Sequence, residues 1–212
     1  MLNAVKTKPS PLFHKSLISN IKTGNFDDDL TLISECDWII EVIVERLDIK
    51  KSLFDKVEKY RKPGTLISSN TSGIPIHLMA EGRSEDFKAH FLGTHFFNPP
   101  RYLRLLEIIP TQDTNKAVVD FFMKFGDVHL GKRTVLCKDT PAFIANRIGV
   151  YAMSKIYQLT EELNLDISTV DKLTGPAMGR PGTGTFRLSA LVGLDPAGKV
   201  IEGIQTNCTD CF

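Results

Sequence analysis

The sequence predicts an α/β fold in which a doubly wound, largely parallel sheet leads into a smaller, all-helical region. Short apolar runs alternate with segments whose apolar positions recur at helical spacing, the signature of βαβ units. The run "TLISSNTSG" is apolar as it enters and polar as it leaves, as a strand ending in a ligand-side loop would be. Past Asp139 the strand signals stop and helix signals take over.

Residues 1–30 are polar, broken by Pro9 and Pro11, and carry the acidic run Asp27, Asp28, Asp29. "ECDWIIEVIVE" (35–45) reads as a buried strand because its branched apolar residues are nearly continuous. "RLDIKKSLFDKVEKYRKPG" spaces Leu47, Ile49, Leu53, Phe54 and Val57 as a helix would and stops at Pro63-Gly64. A strand follows in "TLISSNTSG", then a short helix in "IPIHLMAEGR". "FLGTHFF" and "LRLLEII" are two further strands on either side of "NPPRY". "NKAVVDFFMKFGDV" is a helix on its Val118, Val119, Phe122 and Phe125 positions, and "KRTVLCKD" a short strand. "DTPAFIANRIGVYAMSKIYQLTEELNL" then predicts one long helix, capped at Asp139/Thr140 with Pro141 in its first turn. "DISTVDKLTGPAMGRP" offers a second, shorter helix. The domain boundary is therefore expected near residue 139, giving regions 1–139 and 140–212.

Composition narrows the function classes. The 212 residues carry a formal charge of +1, with 24% charged and 42% hydrophobic residues, a globular balance that attracts neither nucleic acid nor an anionic membrane. No apolar run approaches the ~18 residues of a transmembrane helix, and "MLNAVKTKPSPLFHKSL" lacks the apolar core of a secretory signal. A cytoplasmic protein is expected. Cys36 and Cys137 read as buried thiols of such a protein. Cys208 and Cys211 form a lone C-x-x-C without a second pair, a weak metal or redox signal. The sequons at Asn70 and Asn207 carry no meaning without a secretory route.

Candidate chemistry starts with His95 and Glu107, two ionisable groups in apolar runs twelve positions apart. If the runs pair, a buried carboxylate accepting the imidazole N–H fixes the tautomer and orients the ring, as a general base requires. If they form a surface hairpin, both groups are merely solvated. "SSNTSG" (68–73) either contacts a ligand with its hydroxyls or folds into a turn that bonds its own backbone. Asn146 lies inside a helical segment, where its amide competes for backbone groups, so it has a polar task or a solvated face. "GRPGTG" (179–184) has the wrong spacing for a phosphate loop and follows a helix, so it is read as a plain loop.

"HFFNPPRYLRLLEII", "SSNTSG", "DWIIEVIVERLDIKKSLF" and "KDTPAFIANRIG" together resemble, in this order, the L-3-hydroxyacyl-CoA dehydrogenases of fatty-acid β-oxidation. "NPPRYL" and "GPAMGRP…GTFR" look closest to bacterial fused enzymes that also carry an enoyl-CoA hydratase region. The resemblance covers nearly all of residues 25–200. It implies NAD-dependent oxidation of L-3-hydroxyacyl-CoA to 3-oxoacyl-CoA, with His95 as base, Glu107 as its partner and Ser72 and Asn146 on the substrate. Glu45, Lys50, Ser72 and Asn98 would contact the cofactor. It also implies an acyl-CoA partner and a homodimer formed through the helical domain.

The family opens with a strand and G-x-G-x-x-G, and no G-x-G-x-x-G occurs in these residues. Residues 1–30 resemble the connector that follows those elements. The expectation is thus a partial Rossmann-like sheet lacking its first βαβ unit, followed by a partial helical domain, within a longer enzyme. Such a piece should expose a sheet edge and self-associate. Two other readings stay open: a non-catalytic remnant that binds acyl-CoA or related subunits, and a dehydrogenase for another 3-hydroxy acid.

Overall fold

The computed structural model describes residues 10, 12–180, 182–193, 198, 201, 202 and 204. Asn207, Cys208 and Cys211 lie outside the described residues. Five strands form one sheet in the order β1 (Trp38–Glu41), β2 (Leu66–Ser69), β3 (Phe91–Phe96), β4 (Leu105–Pro110) and β5 (Arg133–Leu136). Pairs β1/β2, β2/β3 and β4/β5 are parallel, and β3/β4 is antiparallel. The exception has a simple cause: the link between β3 and β4 is too short to hold the crossover a parallel pair needs.

Between the strands run α1 (Leu47–Tyr60), α2 (Ile76–Ala80), α3 (Glu85–Ala89) and α4 (Lys116–Val128). α1 turns Lys50, Phe54 and Val57 inward, carries Asp48 in its first turn and Lys59 in its last, and so suits its own dipole. The chain leaves it through Gly64, whose φ of +78° favours glycine. α3 is the helix that periodicity passed over, because it is too short to show one. Its signal is Ser84, whose hydroxyl accepts the Phe87 N–H at 3.2 Å.

The middle strands β2–β4 are covered on both sides, which explains their continuous apolar runs. Phe54, Ile67, Ile76, Met79, Phe87, Phe91 and Ile109 pack on the α1/α2/α3 side. Rings of Phe54, Phe87 and Phe91 meet there at 5.0–5.5 Å, mostly edge to face. Leu92, Leu106, Ile108, Val118 and Phe122 pack under α4, with Trp38 against them. Strand alternation then decides the functional question: His95 shares a face with Phe91, and Glu107 with Ile109.

The helical part consists of α5 (Ala145–Glu162), α6 (Ile167–Thr174) and α7 (Thr185–Val192). Asp171 on α6 caps α7, accepting the N–H groups of Phe186 at 2.8 Å and Arg187 at 3.1 Å. Residues 179, 180 and 182–184 lie outside any helix or strand, with Gly179 and Gly182 at positive φ. Among the described residues no helix is long and apolar enough to cross a membrane.

Three expectations need correction. The first strand spans only Trp38–Glu41, because the Glu41 carboxylate takes the Ile43 N–H at 2.6 Å and bends the chain out of the sheet. Val42 and Val44, apolar in sequence, end up exposed. The long helix does not begin at Asp139. Ala142 and Phe143 adopt φ of +60° and +51°, and α5 starts at Ala145. Asp139 instead caps α2, accepting the N–H groups of Ile76 at 2.7 Å and His77 at 2.8 Å. Cys137 is buried as expected, whereas Cys36 is only half-buried.

Candidate active site

The antiparallel register places His95 directly opposite Glu107 on neighbouring strands. Cross-strand partners on one face lie close enough for side chains to meet, and Nδ1 of His95 is 2.7 Å from Oε2 of Glu107. Both are buried, at 3% and 0% exposure, so the pair is not the solvated end of a surface hairpin. Phe97 and Phe143 flank the imidazole at centroid distances of 4.5 and 5.5 Å and shield it from solvent.

The other oxygen of Glu107 faces the helical part. Oε1 accepts the N–H of Ile144 at 3.1 Å and of Ala145 at 2.8 Å, where α5 begins and its amides would otherwise lack partners. Burial on its own pushes the Glu107 carboxyl up. The hydrogen bonds from His95 and from Ala145 and Ile144 outweigh that and hold it below its ordinary value of 4.5. Glu107 is therefore ionised and can only accept, so Nδ1 of His95 is the donor to it, and in the neutral ring this leaves the lone pair on Nε2.

Oγ of Ser72 lies 3.2 Å from Nε2 and is the donor to it when the ring is neutral. Ser72 sits on the loop after β2, and the loop is fastened by Glu45. Oε1 of Glu45 accepts the Thr71 hydroxyl and the N–H groups of Ser72 at 3.0 Å and Gly73 at 3.1 Å. Burial raises the Glu45 carboxyl, and the Thr71 hydroxyl, the Lys50 ammonium and the two loop amides bring it below 4.5. Lys50, 1% exposed, is enclosed between Glu41 at 2.7 Å and Glu45 at 3.3 Å.

Ser72, His95, Glu107, Glu45 and Lys50 thus converge at one end of the sheet. Asn98 stands exposed on the loop after β3, and Asn146 is half-buried in the first turn of α5, one residue beyond the Ala145 amide. Among the described residues, neither hydrogen-bonds to the dyad. Sequence reasoning missed four contributors. Glu41 was visible in principle as a charge inside "WIIEVIV". Asn70, whose side-chain oxygen accepts the Phe96 N–H at 2.9 Å, lay within a loop read only for its hydroxyls. The amides of Ile144 and Ala145 leave no side-chain trace.

β1, β2 and β3 run parallel, so the loops after them rise on one side, where open α/β sheets bind their ligands. Val42 and Val44 form an exposed apolar ledge there beside the half-exposed carboxylate of Glu45. An apolar ledge with an acidic acceptor and the Ser72 hydroxyl fits the nicotinamide–ribose end of NAD. These residues include no glycine-rich loop for its pyrophosphate.

Comparison with known proteins identifies the family. Residues 5–140 match the family model for the 3-hydroxyacyl-CoA dehydrogenase NAD binding domain, and residues 143–210 that for the C-terminal domain of the same family. A probable 3-hydroxyacyl-CoA dehydrogenase of Bacillus subtilis is 50% identical over 204 residues, covering 96% of this chain and 26% of the relative. One from Deinococcus radiodurans is 50% identical over 201 residues, covering 95% of this chain and 58% of the relative. The crystal structure of (S)-3-hydroxybutyryl-CoA dehydrogenase PaaH1 from Ralstonia eutropha superposes with a TM-score of 0.81 at 26% identity, covering 91% of this chain and 65% of that one. The chain spans less than two thirds of the length of these curated relatives. With both family models matched along its length and a Rossmann-type sheet shared with a solved member, the chain belongs to the 3-hydroxyacyl-CoA dehydrogenases, a family of NAD-dependent oxidoreductases.

Proposed function

We propose that the protein oxidises L-3-hydroxyacyl-CoA to 3-oxoacyl-CoA in fatty-acid β-oxidation and that this chain supplies its acid–base machinery. The observation that carries the reading is a buried imidazole held by a carboxylate on Nδ1 while Nε2 faces a serine hydroxyl. Nε2 of His95 takes the proton of the substrate 3-hydroxyl. Glu107 keeps the ring in the tautomer that can do so and stabilises the imidazolium that results. Ser72 shares the substrate oxygen with His95, and Asn146, at the start of α5, holds the substrate from the helical side. NAD, when bound, would supply the acceptor for the hydride that leaves C3. Glu45, Lys50, Ser72 and Asn98 would line its nicotinamide end, with Lys50 acting through Glu45.

In this reading residues 1–139 form the cofactor domain and 140–212 the substrate and dimer domain. Ile148 and Leu159, exposed on α5, and Leu163 just past its end support a homodimer through the helices. The half-buried and buried free thiols Cys36 and Cys137 suit the cytoplasm.

Acetoacetyl-CoA and NADH mixed with the purified chain test the reading, with NADH absorbance as the readout. Consumption of NADH that falls by about 10²–10⁴ in His95→Ala is the expected result. Consumption that survives His95→Ala overturns it. Saturable acyl-CoA binding without consumption marks the chain as a binding module instead.

A further inference from the structure

Two carboxylates outside the dyad share one lysine, and one of them, Glu41, touches neither Ser72 nor His95. Glu41 closes β1 at 3% exposure, inside an otherwise apolar run. Its Oε1 accepts from Lys50 Nζ at 2.7 Å and from the Ile43 N–H at 2.6 Å, and its Oε2 accepts the Ser69 hydroxyl at 2.5 Å. Its backbone carbonyl accepts the Asn70 N–H at 2.9 Å. Ser69 Oγ in turn accepts the Thr71 N–H at 3.2 Å. The amides of Ser72 and Gly73 end on Glu45, which Lys50 holds from behind at 3.3 Å. Every N–H from Asn70 to Gly73 is therefore fixed by Glu41, by Ser69 that Glu41 holds, or by Glu45 that shares its lysine.

Packing does not require this arrangement. A buried ion pair is commonly replaced by apolar side chains of like volume without loss of stability. The surrounding positions Ile39, Ile40 and Ile43 show that the run accepts them. What the apolar alternative would not supply is the carboxylate's contact to Ser69, which leads into the loop that carries Ser72, and its hold on Lys50, which reaches that loop through Glu45.

We propose that Glu41 is a positioning residue: through Ser69 and through Lys50 and Glu45 it sets the 70–73 loop so that the Ser72 hydroxyl meets Nε2 of His95. The inference rests on the reading of Ser72 and His95 as groups that meet substrate. Glu41 itself touches neither. Removing its carboxylate frees Ser69 and leaves Lys50 with Glu45 and the Ile43 carbonyl at 3.3 Å, and the loop amides shift with them.

Nitrogen NMR of the full chain labelled at histidine tests this without turnover. The His95 Nε2 signal is identified by its loss in His95→Ala, and Ser72→Ala gives the displacement caused by losing the serine bond. Glu41→Ala should displace the signal in the same direction and by a comparable amount, and Glu41→Gln, which keeps an acceptor oxygen, by less. Should Glu41→Ala not fold, Ser69→Ala removes one link of the same chain and is read in the same way. A folded Glu41→Ala or Ser69→Ala with the His95 signal at its wild-type position overturns the proposal. In acetoacetyl-CoA reduction, kcat should drop about ten- to a hundredfold in Glu41→Ala, with KM for the thioester little changed. Turnover that persists in His95→Ala would refute the proposed function and leave the NMR result on positioning standing. An unmoved signal refutes positioning whatever the turnover.

Discussion

Glu107 on β4 accepts the backbone N–H of Ala145, the first residue of α5, at 2.8 Å while its second oxygen holds His95 at 2.7 Å. One carboxylate thus caps the helix that opens the second half of the fold and aims the imidazole of the first.

This double duty makes stability depend on pH in a definite direction. The Glu107 carboxyl lies below 4.5 in the fold and returns to its ordinary value when the chain unfolds. A depressed value in the folded state stabilises fully above the unfolded value, and that stabilisation is lost as pH falls through the lower, folded one. Tm of the wild type should exceed that of Glu107→Gln near neutral pH, and the gap should close as pH drops below about 4.5. Thermal melts across that range check it, and a gap that stays constant would contradict it.

Asp139 should matter for α2 rather than α5. Its carboxylate accepts the Ile76 and His77 amides and lies 2.6 Å from the His77 ring nitrogen. Asp139→Ala removes a helix N-cap, which costs about 0.5–2 kcal/mol. For a chain of this size that lowers Tm by roughly 1–8 °C. Calorimetry measures the loss, and Asp139→Asn, which keeps one acceptor, should recover part of it.

Cys137 is buried next to Glu107, and burial followed by that carboxylate pushes its thiol up to about 12. The thiolate is the reactive form, so Cys137 should resist iodoacetamide in the folded chain while half-buried Cys36 reacts first. Peptide mass spectrometry should find Cys137 alkylated only after denaturant is added. Alkylation of Cys137 at the rate of Cys36 without denaturant would show that the dyad pocket is open.

Gly126 lies inside α4, where alanine would ordinarily gain about 1 kcal/mol of helix propensity. Here an added Cβ would stand 2.3 Å from the Thr134 methyl on β5. Thr134 cannot rotate away cheaply, because its hydroxyl bonds the Met123 carbonyl at 3.1 Å and Asp127 at 3.0 Å. The expected outcome for Gly126→Ala is net destabilisation, since overpacking costs typically about 1–3 kcal/mol. A denaturant melt showing a more stable variant would refute it.

Much of this was legible in the sequence, and the limits have physical causes. The strands, most of the helices and their α/β alternation followed from apolar runs and helical spacing, whereas the strand order and the meeting of His95 with Glu107 came only with the antiparallel register of β3 and β4. The first strand was overread because Val42 and Val44 carry strand-like side chains, yet the chain there obeys a hydrogen bond from Ile43 to Glu41. The start of α5 was misplaced because Asp139, Thr140 and Pro141 spell a local cap, while the Asp139 carboxylate is spent on a helix more than sixty residues earlier. Local pattern reports local partners, and a tertiary cap overrides it. The Glu41–Lys50–Glu45 cluster was hidden for the same reason: Lys50 is a surface residue by type and a buried one by position.

The main-chain bonds from Ile144 and Ala145 to Glu107 bear on how this site can drift over time. The donors belong to the backbone, so almost any side chain could stand at either position without disturbing the bonds. Proline, lacking the N–H, is the one substitution barred at both. A survey of variants that ranks positions by side-chain chemistry would rate 144 and 145 as permissive. The site's tolerance there is wide in composition and narrow in geometry.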